Sequence, residues 1–327
     1  MSSPIILRPS GKDYLWGGSR LNDDFAKGID MSPLAETWEC STHPDGPSWA
    51  AFGDYHGMTL KQIIDQHPEF LGGVKPTSEG QLPILVKFID AFNDLSVQVH
   101  PDDEYAQVNE NGQLGKNELW YVVDAMPDAE LVFGLATECT KDQIRQSIQE
   151  GSLERLLHRV KIKKNDVFYI AAGTIHAIGR GALIAEIQQS SNLTYRLYDY
   201  GRVDKNGKTR DLHIDKALDV SNLKGGQDPR QSMRVLHYKP GFASELLCRC
   251  PYFQVERFLV RTENRQRMAT LQSCPESYRV LLCTEGCGSI KGDGFDIDFF
   301  KGDCIFVPAT CPDMTLQGVA QLLCARS

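Results

Sequence analysis

Polar and apolar residues alternate along Leu95–His100. Leu95, Val97 and Val99 take one parity, and Ser96, Gln98 and His100 take the other. Successive strand side chains point to opposite faces, so this stretch predicts a strand with one polar face. Soluble sheets usually turn such a face to water, but Gln and His two apart can also converge on one ion inside a barrel mouth. The pattern recurs in GKNELWYVV (115–123), where Lys116, Glu118 and Trp120 share a face. A third stretch, NDVFYIAAGTIHAIGRG (165–181), delivers His176 just past a tight Gly-Thr turn. The apolar run ILVKFI holds Lys87, which either snorkels to the surface or points into a polar cavity with Ser96 and Gln98.

Other segments carry helical signals. Thr59-x-x-Gln62 with Leu60, Ile63 and Ile64 is a capping-box pattern, predicting a helix that stops before Gly72-Gly73. Pro-Asp-Asp-Glu after His100 starts another, with acids near the positive end of the helix dipole. Residues 138–160 are expected to form a helical insertion. Thr140-x-x-Gln143 caps its first helix, and Ser152 opens its second, with Leu153, Leu156, Leu157 and Val160 on one face. Between these, Leu119–Phe133 predicts a hairpin turning near Met126-Pro127-Asp128. KDYLWGGSRL and LAETWECSTHPDGPSW read as strands and loops. Strand pattern returns from Val167 to Tyr200, followed by a turn at Asn206-Gly207 and a short helix. Residues 233–327 read as all-β.

The carboxy-terminal part contains an echo. FFKGDCIFVPATCPDM (299–314) repeats the layout of KNDVFYIAAGTIHAI (164–178): a polar turn, a short buried strand, a tight turn and a residue aimed inward. Where the first copy has His176 the second has Asp313, so it keeps the layout without the histidine.

Composition narrows the classes. At 327 residues the chain has room for about two domains. A net charge of −8 argues against nucleic acid or an anionic membrane as partner, and an anionic substrate would need a local cluster of Lys and Arg. No apolar run approaches a membrane span, and Ile5–Leu7 is too short for a signal peptide, so a cytoplasmic location is expected. Eight of the ten cysteines lie from Cys248 onward without C-x-x-C pairing, which fits reduced core thiols. His100 and His176, the Glu118 carboxylate and the Gln98 carboxamide form a candidate ligand set for a divalent metal with open positions.

The two echoing copies resemble the second cupin motif, G-D-x-x-x-x-P-x-G-x-x-H, with Asn165 for its Gly and Ala171 for its Pro. More narrowly, the chain resembles the short type I mannose-6-phosphate isomerases (phosphomannose isomerases) over nearly its whole length. The likeness rests on WGG (16–18), AETWECSTHPDG (35–46), LPILVKFIDAFNDLSVQVHPDDEYA (82–106), GKNELWYV (115–122), AAGTIHAIGRG (171–181) and SSNLTYRLYDYGR (190–202). It implies a mainly β fold of two cupin-type jelly-roll barrels. Residues 1–232 would form the metal-binding domain with its helical insertion, and residues 233–327 a degenerate, metal-free one.

The resemblance also implies one zinc ion per chain, held by Gln98, His100, Glu118 and His176. It places Arg196 in the active site, Lys116 and Glu186 in proton transfer, and Lys87 and Ser96 in the phosphate pocket. The activity implied is interconversion of mannose 6-phosphate and fructose 6-phosphate through an enediol or enediolate. The expected partner is a small sugar phosphate, with no nucleic acid and no membrane, and the chain is expected to be a monomer or homodimer. An Fe(II) cupin oxygenase and a non-catalytic sugar-phosphate binder are the competing readings.

Overall fold

A computed structural model describes residues 2–203, 207–226, 229, 234–262 and 269–327. The amino-terminal part contributes β1 (Ile5–Arg8), β2 (Ser10–Lys12), α1 (Arg20–Asp23), β3 (Glu36–Cys40), β4 (Trp49–Ala50) and α2 (Leu60–Gln66). Next come β5 (Ile84–Asp90), β6 (Val97–Val99), α3 (Asp103–Asn109), β7 (Glu118–Ala125), β8 (Glu130–Leu135), α4 (Lys141–Gln149) and β9 (Leu157–Lys161). They are followed by β10 (Val167–Ile170), β11 (His176–Ile178), β12 (Ala182–Gln189), β13 (Tyr195–Tyr198) and α5 (Ile214–Val220). The carboxy-terminal part holds β14 (Leu236–Lys239), β15 (Phe242–Arg249), β16 (Gln254–Arg261), β17 (Ala269–Leu271), β18 (Arg279–Gly292), β19 (Phe295–Phe300), β20 (Cys304–Val307) and β21 (Met314–Arg326).

The protein is mainly β, as expected. One sheet runs β10-β7-β12-β5-β3-β2, and a second runs β13-β6-β11-β8-β9. They face one another around Ile89, Trp120, Leu131, Phe168, Ile178 and Ile184. The third sheet runs β14-β15-β16-β21-β18-β20-β1-β4, with β17 on β21 and β19 on β18. No sheet closes on itself among the described residues, so each expected barrel is an arrangement of open sheet layers. β1 and β4 join the carboxy-terminal sheet, which therefore draws residues from both sides of position 232.

Strand parity decides which side chains face the site. In β5, Ile84, Val86 and Phe88 pack into the core shared with the carboxy-terminal sheet, so Lys87 and Ile89 face inward. In β12, Leu183, Ala185 and Ile187 face that shared core, which turns Ile184 and Glu186 inward. In β7, Leu119, Tyr121 and Val123 do the same, which turns Glu118, Trp120 and Val122 inward. Across the gap, Val97 and Val99 of β6 pack outward against Ile144, Ala217 and Leu218 of α4 and α5. Ser96, Gln98 and His100 are left on the inner side. The polar face of this strand is thus turned into the molecule.

Local signals and tertiary competition divide the rest. Both capping boxes form: Thr59 and Gln62 exchange side-chain bonds at the start of α2, and Thr140 and Gln143 at the start of α4. Each such cap is worth about 1 kcal/mol. Asp102 caps α3. A single helical turn, α1, interrupts the strands and loops read into KDYLWGGSRL.

Two expectations are corrected. The chain does turn after Ala125, but β7 and β8 do not pair as a hairpin. Both edges of β7 are taken by β10 and β12, so β8 crosses to the facing sheet. The second helix of the 138–160 insertion is also absent. Leu153–Leu156 make one 3-10 turn, and Leu157–Lys161 become β9, which satisfies the free edge of β8. A short isolated helix is marginal, and a sheet edge offers its backbone more partners. The expected turn at Asn206-Gly207 lies partly outside the described residues, while α5 follows as expected.

The echo is structural. Asn165 and Gly302 both hold positive φ, +72° and +100°, the region Asn and Gly tolerate best. Val122 N donates to Asp166 O, and Cys283 N to Asp303 O, each at 2.9 Å. The Asp166 carboxylate accepts from Lys163 N and that of Asp303 from Phe300 N. Asp313 is exposed and accepts from Ser273 N, closing a surface turn. All ten cysteines are free thiols, with Cys287 exposed and Cys250 partly so. Among the described residues no helix is long and apolar enough to cross a membrane.

Candidate metal centre and adjoining cavity

His100, Glu118 and His176 are buried, and one ligand atom from each lies within 4.8 Å of the others. β11 pairs with β6 so that His176 stands opposite Gln98, and β13 pairs from the other side so that Arg196 also stands opposite Gln98. Three neighbouring strands, β11, β6 and the edge strand β13, thus bring one metal-type ligand, one carboxamide and one guanidinium side by side.

Hydrogen bonds set the imidazoles. His100 Nδ1 lies 2.7 Å from Leu193 O, and His176 Nδ1 lies 2.8 Å from Thr174 O. A carbonyl can only accept, so Nδ1 donates in each ring and the Nε2 lone pair is free to bind a cation. Burial lowers both pKa values: His100 is pushed down to about 3, helped by the Lys116 ammonium, and His176 is lowered as well. Both rings are therefore neutral, as metal ligands must be.

Glu118 completes the set. Its two oxygens are buried and accept no aligned hydrogen bond, yet Oε1 lies 3.2 Å from His100 Nε2 and Oε2 lies 3.9 Å from His176 Nε2. Burial alone would raise its pKa, but the Lys116 ammonium outweighs that and holds it well below the usual carboxylate range. Lys116 pairs with Glu118 and lies 3.3 Å from His100 Nε2, so these donors already gather round a positive charge. The Gln98 amide nitrogen lies 3.4 Å from His176 Nε2; turning the amide over brings its oxygen there instead. Two neutral imidazoles, a buried carboxylate and a carboxamide fit a divalent cation.

Beside the cluster lies a cavity of about 340 Å³, whose wall includes Gln98 and Lys116. Lys87, Ser96, Lys116, Glu186 and Arg196 all line it, so the candidate residues converge on one space. Lys87 does not snorkel. Its ammonium sits 3.3 Å from Glu186 and 3.8 Å from Glu36. Burial would lower its pKa, but the two carboxylates prevail and raise it. Glu186 Oε1 accepts from Trp120 Nε1 at 2.8 Å. Burial, then the nearby Glu118 charge, raises the Glu186 pKa. Gly18 of the WGG segment has no room for a side chain: a Cβ there would lie 2.3 Å from Asp90 Oδ2, which Arg20 holds at 2.9 Å through its backbone N–H.

Arg196 donates to Ser96 Oγ at 3.2 Å and to Asp211 O at 3.0 Å. Burial and the neighbouring Arg210 lower its pKa. The sequence reading missed Arg210 and His213, which line the same cavity, along with Tyr14 and Glu36. His213, read as an ordinary surface or core residue, accepts from Arg196 N at 3.3 Å. Asp199 is shared: Arg202 and Arg210 both hold it, at 2.5 Å each. The cation density of 202–216 (Arg202, Lys205, Lys208, Arg210, Lys216) was the available signal, but nothing periodic in this loop aims it anywhere.

The type I phosphomannose isomerase catalytic domain matches residues 5–137. The chain is 35% identical to mannose-6-phosphate isomerase ManA of Bacillus subtilis, over 98% of each chain. It is 34% identical to the mannose-6-phosphate isomerase of Streptococcus mutans, over 100% of this chain and 99% of the other. Its fold is similar to the crystal structure of a mannose 6-phosphate isomerase from Bacillus subtilis, with a TM-score of 0.90, 37% identity and 99% of both chains covered. The apo mannose 6-phosphate isomerase of Salmonella typhimurium shares the fold at 15% identity, with a TM-score of 0.73.

Proposed function

The chain belongs to the type I phosphomannose isomerase family, and on that premise we infer that it interconverts mannose 6-phosphate and fructose 6-phosphate with zinc as its cofactor. The observation that carries this reading is a buried His-Glu-His cluster beside a cavity that Gln98 and Lys116 line at one end and Arg196 and Arg210 at the other. Residues 1–232 supply every residue of that site, and we treat them as the catalytic unit beside residues 233–327.

The reaction moves a proton between C1 and C2 of the open-chain sugar. A base removes a proton alpha to a carbonyl, leaving an enediol or enediolate whose oxygen carries negative charge. A zinc ion held by Gln98, His100, Glu118 and His176 would supply fixed positive charge beside the sugar oxygens. Arg196, across the strand pair from Gln98, offers a second cation on the same side. We assign the proton to Glu186. A buried carboxyl whose pKa is raised can both accept a proton and return it. Lys87 steadies that carboxylate, and Lys116 positions Glu118 while adding positive charge.

Charge counting supports a position for the phosphate. Arg196, Arg202 and Arg210 gather round one carboxylate, Asp199, leaving a surplus of two positive charges. A phosphate dianion balances it. We therefore put the phosphate at the Arg210 end of the cavity beside Ser96, and give Lys87, engaged by two carboxylates, to Glu186. Arg210→Gln is expected to raise KM for mannose 6-phosphate roughly 10–100-fold with little change in kcat, the weight of a charge-assisted hydrogen bond. Initial rates over a substrate series check this, and an unchanged KM would move the phosphate elsewhere.

The function is tested by supplying zinc-loaded protein with mannose 6-phosphate and coupling fructose 6-phosphate formation to a reporter enzyme. Turnover is expected. No turnover, or oxygen uptake with an Fe(II)-loaded sample in its place, would overturn the reading.

A further inference from the structure

The echo between the two halves extends from the turns to the side chains that face inward. Glu118 pairs across the sheet with Ile170, and by the matching register Arg279 pairs with Val307. Two residues on, Trp120 stands opposite Glu186, and Leu281 stands opposite Cys324. Glu186 in turn faces Lys87, and Cys324 faces Glu256. The parity is also kept: Val280, Leu282, Leu323 and Ala325 pack into the core shared with the amino-terminal sheets, while Leu281 and Cys324 turn into the carboxy-terminal sheet's own interior. Arg279 therefore stands where the first copy has its metal-ligating carboxylate, a reversal of charge at the same place in the fold.

This position opens into a cavity of about 190 Å³, separate from the first, lined by Gln254, Glu256, Thr270, Arg279 and Arg326 among others. The Arg279 side chain is nine-tenths buried, at 9% exposure, and its guanidinium donates to Gln272 O. Arg326 donates to Cys274 Sγ at 3.5 Å. Neither arginine has a carboxylate partner among the described residues. Glu256 lines the cavity too, but its carboxylate accepts from Gln254 Nε2 at 2.6 Å. Lys239 stands exposed at the rim. A buried guanidinium without an anion is costly, and the charge balance here is three cations to one carboxylate.

We propose that this second cavity is a binding site for a small oxyanion, a phosphate or carboxylate group, seated between Arg279 and Arg326. The first copy gathers anionic and neutral donors around an added cation. The second builds the cation into the chain and leaves the anion to be added. Planar guanidinium groups suit such an oxyanion, which two of them can grip with paired N–H bonds. The site does not depend on the isomerase reading, since no residue of the metal centre belongs to it.

The test is equilibrium dialysis of the whole zinc-loaded protein against labelled inorganic phosphate. Wild type is expected to hold phosphate in this second cavity. Arg279→Gln and, separately, Arg326→Gln are expected to weaken that site about 10-fold or more while leaving isomerase kcat/KM unchanged. Arg326 is less buried, so its variant reports even if Arg279→Gln unfolds. Competition by glucose 6-phosphate and by citrate separates a phosphorylated metabolite from a carboxylate as the occupant. Phosphate binding in both variants equal to wild type would overturn the proposal.

Discussion

Glu118→Ala should yield protein that holds no metal and turns over at least about 10³-fold more slowly, more than is lost with a single donor to a developing charge. Glu118 is fully buried, both oxygens lack aligned hydrogen bonds, and both imidazole Nε2 atoms face it. It is the single negative charge among the four proposed ligands. Its loss also strands the buried Lys116 ammonium, so the variant should be less stable by roughly 3–5 kcal/mol, as for other broken buried pairs. Glu118→Gln separates the effects, because it keeps the shape and removes the charge. Metal analysis after gel filtration, beside urea melts, reads both. Stoichiometric metal in either variant with wild-type turnover would remove Glu118 from the site.

Arg196→Ala should behave differently. The metal stays, because Arg196 touches none of the ligand atoms and its bonds run to Ser96 and Asp211. Turnover falls about 10²–10³-fold, the usual loss when one preorganised donor to a developing negative oxygen is removed. Arg196→Lys keeps the charge but not the fork, and should recover only part of the rate. Full metal content with a depressed kcat supports the assignment. A normal kcat in Arg196→Ala would leave the enediolate to the metal alone.

What the sequence made legible was local and periodic. Two-residue alternation puts Gln98 with His100, and Glu118 with Lys116, and parity in the structure brings them to the metal cluster and the cavity beside it. The two capping boxes were legible for the same reason, since a cap is a contact between residues three apart. The illegible parts were settled at long range. Nothing in Leu119–Phe133 says that both edges of β7 will be occupied, and so that β8 must leave its neighbour. Leu157 and Val160 suit a helix face as well as a strand, and the open edge of β8 decided between them. Arg210 and His213 sit in a loop without period, and Asp199 and Arg196 orient them. The likeness to a known family carried the remaining roles.

The sheet that takes β1 also sets an order of events in the cell. Ile5 pairs with Phe306 and Leu7 with Cys304, so this strand leaves the ribosome long before the partner that fixes its register. Synthesis runs at about 5–20 residues per second, so its apolar side chains wait many seconds with an unclaimed edge. For that interval β4 is the one strand of the sheet at hand to cover Leu7 and Arg8, and the edge that β20 will take stays open.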